Sequence, residues 1–132
     1  MEPLQYATWA TTQGGLLVPR SEKFPIQMSK SDATAYPLLL YEQNKFGAEI
    51  IRFGAEERVA RHTHKGDHIL LVTKGEGVLG YGTSEHPISA GMAYLVPGSV
   101  PHSIDATTEL ALIAIGNDHR PADSSRRLDL VE

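Results

Sequence analysis

The chain has 132 residues, 41% apolar and 21% charged, a size and balance that suit one globular domain able to bury a core without staples. Lys plus Arg number 12 against 16 Asp plus Glu, a formal charge of −4, and the absence of a basic stripe speaks against nucleic-acid partners and anionic membrane surfaces. There is no cysteine, which excludes disulfides, thiolate metal ligands and a cysteine nucleophile and fits a cytoplasmic setting. The first nine residues lack the basic stretch and apolar run of a signal peptide, and the longest apolar runs, such as residues 110–115, fall far short of the ~20 residues of a membrane span.

Gly and Pro punctuate short runs rich in Val, Ile, Leu, Tyr and Thr, the pattern of an all-β sandwich or barrel. In chain order, strands are expected at residues 16–18, after the Gly14-Gly15 turn, then at 37–42, 48–53 and 59–64. The turn Lys65-Gly66-Asp67 leads to 68–73, and the turn from Lys74 to Gly77 leads to 78–81. Strands at 86–89, 93–96, 102–105 and 109–115 complete the set, with turns at Ala90-Gly91 and Pro97-Gly98. No stretch has a helical period longer than about two turns, apart from a weak helix signal within 122–130. The expected core of the domain, which spans 1–132, is 37–116. The N-terminal arm, 1–36, is expected to pack on the barrel or to pair with a second subunit, and the polar segment 117–132 to be a solvated tail.

Histidine carries the chemistry. Of six histidines, three fall within residues 62–68. On a strand, alternate residues share a face, so Ala60, His62 and His64 point one way and Arg61 and Thr63 the other. If Lys65-Gly66-Asp67 closes a hairpin, with Gly66 supplying a positive φ, His68 opens the neighbouring strand beside His64. A lone histidine is ordinarily a surface or hydrogen-bonded residue. Three imidazoles turned to one interior are costly unless something engages their lone pairs, and a metal ion does so. The fourth member, His102, follows Pro97-Gly98-Ser99-Val100-Pro101, where the prolines stiffen the backbone and fix its delivery. His62, His64, His68 and His102 are therefore assigned as ligands of one divalent ion; imidazole suits Zn, Fe, Ni and Cu, and Mn is admissible.

These segments resemble the two motifs of the cupin family, G-x5-H-x-H-x3/4-E-x6-G and G-x5-P-x-G-x2-H-x3-N. The first is matched by His62-Thr63-His64, three residues, His68 in place of Glu, six residues and Gly75. The second is matched by Gly91, five residues, Pro97, Gly98-Ser99, Val100-Pro101 and His102. The departures are Gly54, seven residues ahead of His62 rather than five, Ser99 for the second-motif Gly, and Ala106 for the closing Asn. Replacing the Glu with His68 leaves a divalent ion without a neutralising carboxylate, so it should hold anions more tightly.

The resemblance implies a double-stranded β-helix, or jelly-roll, barrel with the ion inside one end, and a homodimer. It also implies an enzyme of small oxygenated substrates. That enzyme would be either dioxygenase-like, on enolic or catecholic compounds, or a non-redox isomerase, cyclase or sugar-acid converter. A small-ligand or sugar-binding module is the alternative. Other residues are weaker candidates. Arg52 is either a carboxylate clamp or an ordinary ion-pair residue. Tyr41 and Tyr81 either line the pocket or pack. His86 and His119 read as surface residues, and Trp9 as a packing or subunit-contact residue. No catalytic acid or base is assigned.

Overall fold

Two antiparallel sheets face each other across an apolar core in the computed structural model, which describes residues 4–6, 9–11, 17–19, 26–118 and 128–131. The strands are β1 (Trp9–Thr11), β2 (Leu17–Pro19), β3 (Ile26–Gln27), β4 (Thr34–Tyr41), β5 (Phe46–Phe53), β6 (Arg58–Thr63) and β7 (His68–Lys74). They continue with β8 (Glu76–Tyr81), β9 (Ser84–Ser89), β10 (Ala93–Val96), β11 (His102–Ala106), β12 (Leu110–Gly116) and β13 (Asp129–Leu130). There is no helix among the described residues, and so none long and apolar enough to cross a membrane. The larger sheet runs β10-β7-β12-β5-β4-β3 and the smaller β13-β6-β11-β8-β9, while β1 and β2 pair separately. This is the expected all-β jelly-roll barrel.

Period-2 alternation fills the space between the sheets. Ile51, Phe53, Leu70, Val72, Leu110 and Leu112 come from the larger sheet; Val59, Leu79, Ile88 and Ile104 come from the smaller. Full burial of each such side chain contributes about 1.5–3 kcal/mol. Strand β12 is apolar on both faces: its Ile113 forms a second cluster with Ile50, Leu38, Tyr36 and Ala48 on the outer side, while β5 carries one buried carboxylate, Glu49, on its interior face opposite Ala114. The doubly apolar reading of residues 110–115 is thus met.

Several boundaries move. The barrel begins earlier than residue 37, because Met28, Ala33 and Ala35 are buried in the main core. The segment 128–131 is not a solvated tail. Leu128 is 3% exposed, β13 pairs with β6 (Leu130 opposite His62), and Lys30 Nζ donates to the Leu128 carbonyl at 2.9 Å. The weak helix signal falls largely on residues 119–127, outside the described residues, and 129–130 form a strand instead. Trp9 lies in β1, and His119 is outside the described residues.

The largest correction concerns the expected hairpin. Strands β6 and β7 do not pair: β6 lies between β13 and β11, and β7 between β10 and β12. Both edges of each strand are taken, so the turn after His64 carries the chain from one sheet to the other. Gly66 is also not a positive-φ residue; Gly75, Gly82 and Gly91 are. Its requirement is space, because a Cβ there would lie 1.9 Å from the Asn117 carbonyl oxygen.

Candidate metal centre

His62 reaches the interior through an irregularity in β6. Against β11, His102 pairs with His62 but Ile104 pairs with Val59, so three steps on β6 face two on β11. This is a β-bulge, with one extra residue on β6. Val59 and His62 consequently both line the interior, whereas Ala60, which strict alternation had placed on the His62 face, does not line it.

His64 follows the end of β6 and is tied to the second motif. Its backbone N–H donates to the Gly98 carbonyl at 3.0 Å. The two segments approach so closely that a Cβ at Gly98 would lie 2.1 Å from the Gly66 carbonyl oxygen and 2.5 Å from His64 Nδ1. The Gly98 N–H donates to Asp67 Oδ1 at 3.0 Å, and the Asp67 N–H to Asn117 Oδ1 at 2.8 Å. Three loops are thereby locked together at the mouth of the barrel. His68 opens β7 opposite Gly116, where a Cβ would meet the imidazole Cδ2 at 2.1 Å. His102 opens β11 just after the Pro97-to-Val100 turn, which is closed by Val100 N–H donating to Pro97 O at 3.1 Å.

The imidazoles are oriented by backbone carbonyls. His62 Nδ1 lies 2.8 Å from Ala60 O, His64 Nδ1 2.7 Å from Gly66 O, and His102 Nδ1 2.7 Å from Val100 O. A carbonyl only accepts, so each Nδ1 carries the proton and each Nε2 presents a lone pair. The metal-ligating atoms of these three residues lie within 4.8 Å of one another, and His64 Nε2 is 3.0 Å from His102 Nε2. The His68 ring centroid is 4.5 Å from that of His64, and His68 lines the same cavity.

Two lone pairs 3.0 Å apart repel unless a cation lies between them. Protonation is a poor remedy here. Burial lowers His62 to about 4, aided by the charge of His64 and opposed by the Ala60 carbonyl. Burial, the charges of His62 and His64, and the opposing Val100 carbonyl bring His102 to about 3. The donor set fits a metal ion: three neutral imidazoles with fixed tautomers, converging in a buried place, can hold a divalent ion, while His68, the fourth expected ligand, lines the same cavity but does not belong to the group whose ligand atoms lie within 4.8 Å of one another.

The cavity they line is ≈ 50 Å³, enough for a few water-sized groups. Its other walls include Met28, Phe53, Leu70, Val96 and Leu128, and among the described residues no Asp, Glu, Lys or Arg lines it. Sequence reasoning missed Tyr94, which lines the cavity and whose hydroxyl is buried with no hydrogen-bond partner among the described residues. Tyr94 lies in the second motif and shares the period-2 face of Val96, a signal that was present but weak. Leu128 was also missed, as a single apolar residue in a polar segment.

The weaker candidates lie elsewhere. Arg52 is on the outer face of β5, where Nη1 donates to the Tyr36 hydroxyl at 2.9 Å and Nη2 lies 3.9 Å from Glu109 Oε1; it does not line the metal cavity. The Tyr41 hydroxyl donates to Gln43 at an exposed site. Tyr81 packs against the core beside His102 but is not a wall of the cavity. His86 is exposed, with Nε2 3.0 Å from the Ser84 hydroxyl.

Comparison with known proteins agrees with this architecture. No curated protein matches the chain. Among solved structures, a predicted oxalate decarboxylase from Thermotoga maritima is 25% identical, with a TM-score of 0.65 over 73% of this chain and 93% of that one. A cupin 2 conserved barrel domain protein from Rhodopseudomonas palustris is 14% identical, with a TM-score of 0.71 over 95% and 86%. The polyketide cyclase RemF from Streptomyces resistomycificus is 15% identical, with a TM-score of 0.69 over 87% and 84%. The cupin domain family, Cupin_2, matches residues 50–116, just over half of the sequence and the stretch that carries all four histidines: the chain belongs to the cupin family.

Proposed function

We propose that the chain is a metal-dependent cupin enzyme of small oxygenated substrates, with one divalent ion (Mn, Fe, Ni, Cu or Zn) held by His62, His64, His68 and His102. The carrying observation is the convergence of three Nε2 lone pairs, each fixed by an Nδ1–carbonyl hydrogen bond, inside a cavity that no carboxylate lines among the described residues. When bound, such an ion supplies Lewis-acid polarisation of the substrate and, where it is redox-active, electron transfer to O2. The protein's part is to present four imidazoles, leave the remaining coordination positions open and surround them with apolar walls that strengthen electrostatic contacts. The four-imidazole set supports the dioxygenase-like form of the reading.

A second reading, a non-catalytic small-ligand module, is favoured by one observation: among the described residues no carboxylate or lysine lines the cavity to move a proton. The resemblance to a polyketide cyclase keeps a non-redox cyclase or isomerase in view as well. The homodimer implied by the family belongs to the same proposal. In-register apolar residues on the outer face, Leu95, Ile69, Ile115, Ala48 and Leu39, form the surface a second copy would bury, and sedimentation analysis tests it.

The deciding experiment is elemental analysis of untagged protein beside a His62→Ala variant, followed by O2-uptake assays with enolic substrates. About one redox-active ion per chain, absent from the variant, with substrate-dependent O2 consumption, supports the dioxygenase-like form. Stoichiometric metal without O2 consumption directs attention to the non-redox readings. No metal after reconstitution overturns the proposal.

A further inference from the structure

Most walls of the histidine cavity are held by strands paired along both edges: Phe53 on β5, Leu70 on β7, Leu79 on β8 and Ile104 on β11. Two apolar walls lie off the strands. Met28 stands just before the turn into β4, and Leu128 just before β13. Their segments are joined by a hydrogen bond across 98 residues, from Lys30 Nζ to the Leu128 carbonyl at 2.9 Å.

The two segments are anchored differently. The turn that carries Met28 and Lys30 is braced from several directions. The Met28 N–H donates to the Ala33 carbonyl at 2.9 Å, and Gln27 Nε2 donates to the Ser31 carbonyl at 2.9 Å and to the Ala33 carbonyl at 3.0 Å. Asp32 is tied to Arg58, at the start of β6, through its N–H at 3.1 Å and its Oδ2 at 3.0 Å. The segment 128–131 has less. β13 is two residues long, and it pairs with β6 on one side and with no strand on the other among the described residues. The Val131 N–H donates to the Arg61 carbonyl at 2.9 Å. Leu128 is the one fully buried side chain of the four residues; Asp129 and Leu130 are exposed. A segment anchored by one buried side chain and a few hydrogen bonds opens far more readily than the sheet beneath it.

Such opening has a use. His62 and His102 are all but inaccessible, and a cavity of ≈ 50 Å³ holds only a few water-sized groups. Anything larger needs a wall to move.

We propose that the segment 128–131 is a lid on the histidine cavity, with Leu128 as its plug and the Lys30–Leu128 hydrogen bond as its latch. The braced turn is the fixed post against which the lid shuts. Only the identity of what lies behind the lid rests on the metal-centre reading; the opening itself does not.

Two measurements on the full chain test this. The first is amide hydrogen exchange followed by NMR in metal-free protein. The Val131 N–H should exchange at least about tenfold faster than the Ala106 N–H, which donates to the Glu57 carbonyl beside β6, because the lid opens without the barrel. Lys30→Met, which keeps the stem and removes the ammonium, should quicken Val131 by roughly a further tenfold, the effect of one charged hydrogen bond, and leave Ala106 unchanged. A Val131 amide protected as well as Ala106, or unmoved by the variant, overturns the lid. The second is the rate at which Co²⁺-loaded protein yields its ion to excess EDTA. Leu128→Ala and Lys30→Met should each lose Co²⁺ about tenfold faster than the wild type, while Asp129→Ala, on the same strand but exposed, should match it. Equal rates in all four proteins overturn the gating role. A wild type that takes up no Co²⁺ overturns the metal centre, and the exchange measurement then decides the lid by itself. Should Leu128→Ala not fold, Lys30→Met carries both measurements.

Discussion

Two polar clusters sit on opposite sides of the larger sheet, and only one is built as a site. On the outer face, Arg52 lies 5.3 Å from the centroid of the Tyr36 ring, near Glu109, which also approaches Lys74 at 3.6 Å. The Arg52 and Glu109 side chains are 27% and 48% exposed, their charges compensate one another, and solvent screens them. At the barrel end, His62 and His102 are 4% and 5% exposed, share one sign when protonated and have no carboxylate on the cavity walls among the described residues. The outer cluster is complete as it stands. The inner one is a donor set that a cation could complete, and that difference separates a surface network from a candidate functional centre.

The comparison breaks first at the metal. His102→Ala should remove nearly all bound metal and abolish the rise in Tm on adding metal, because binding to the folded state is folding free energy; elemental analysis and thermal unfolding check both. Stoichiometric metal in that variant would falsify the assignment of His102 as a ligand.

Next comes pH, in metal-free protein. His62 and His102 are lowered from 6.5 to about 4 and about 3, so the unfolded chain takes up protons that the folded chain refuses. Their contribution is present in full above pH 6.5 and drains away as pH falls toward 4 and below, on the order of a few kcal/mol. Urea midpoints measured from pH 7.5 to pH 4.5 should fall, and bound metal should flatten the decline over the upper part of that range.

Smaller still is the effect of Gly116→Ala. Its Cβ would lie 2.1 Å from His68 Cδ2 and 2.3 Å from the Asp67 carbonyl oxygen, so a loss of about 1–3 kcal/mol is expected, together with weaker metal binding as His68 is displaced. Calorimetric titration of the folded variant separates the two effects. The outer cluster supplies the control. Arg52→Met should change stability by less than about 1 kcal/mol and leave metal content untouched; a marked loss of metal would mean the two faces are coupled.

Much of this was legible in the sequence. Short alternating runs between Gly and Pro located most of the strands to within two or three residues, and the motifs named three histidines whose nitrogens converge, His62, His64 and His102, with His68 on the same cavity wall. What the sequence hid has physical causes. The bulge in β6 adds one residue to a strand whose composition is unremarkable, so alternation put Ala60 rather than Val59 with His62. A three-residue connection reads as a hairpin, but whether two strands pair depends on which edges the rest of the chain already occupies. Gly66, Gly98 and Gly116 answer to atoms of other segments, at distances no local pattern encodes. Leu128 closes the cavity through a partner strand 60 residues or more earlier in the chain, and of the two readings open for Arg52 the structure bears out the ion-pair one.

The crowding of three imidazoles into residues 62–68 has a consequence for the denatured protein. The unfolded chain still carries a three-nitrogen chelator in a single short peptide, and metal that binds the unfolded state subtracts from the stabilisation of the native one. At high metal concentration the gain should stop rising and settle at RT ln of the ratio of the two dissociation constants, unfolded over folded. That plateau measures what folding alone adds: the arrival of His102 from a distant segment and the locking of four rings into one geometry.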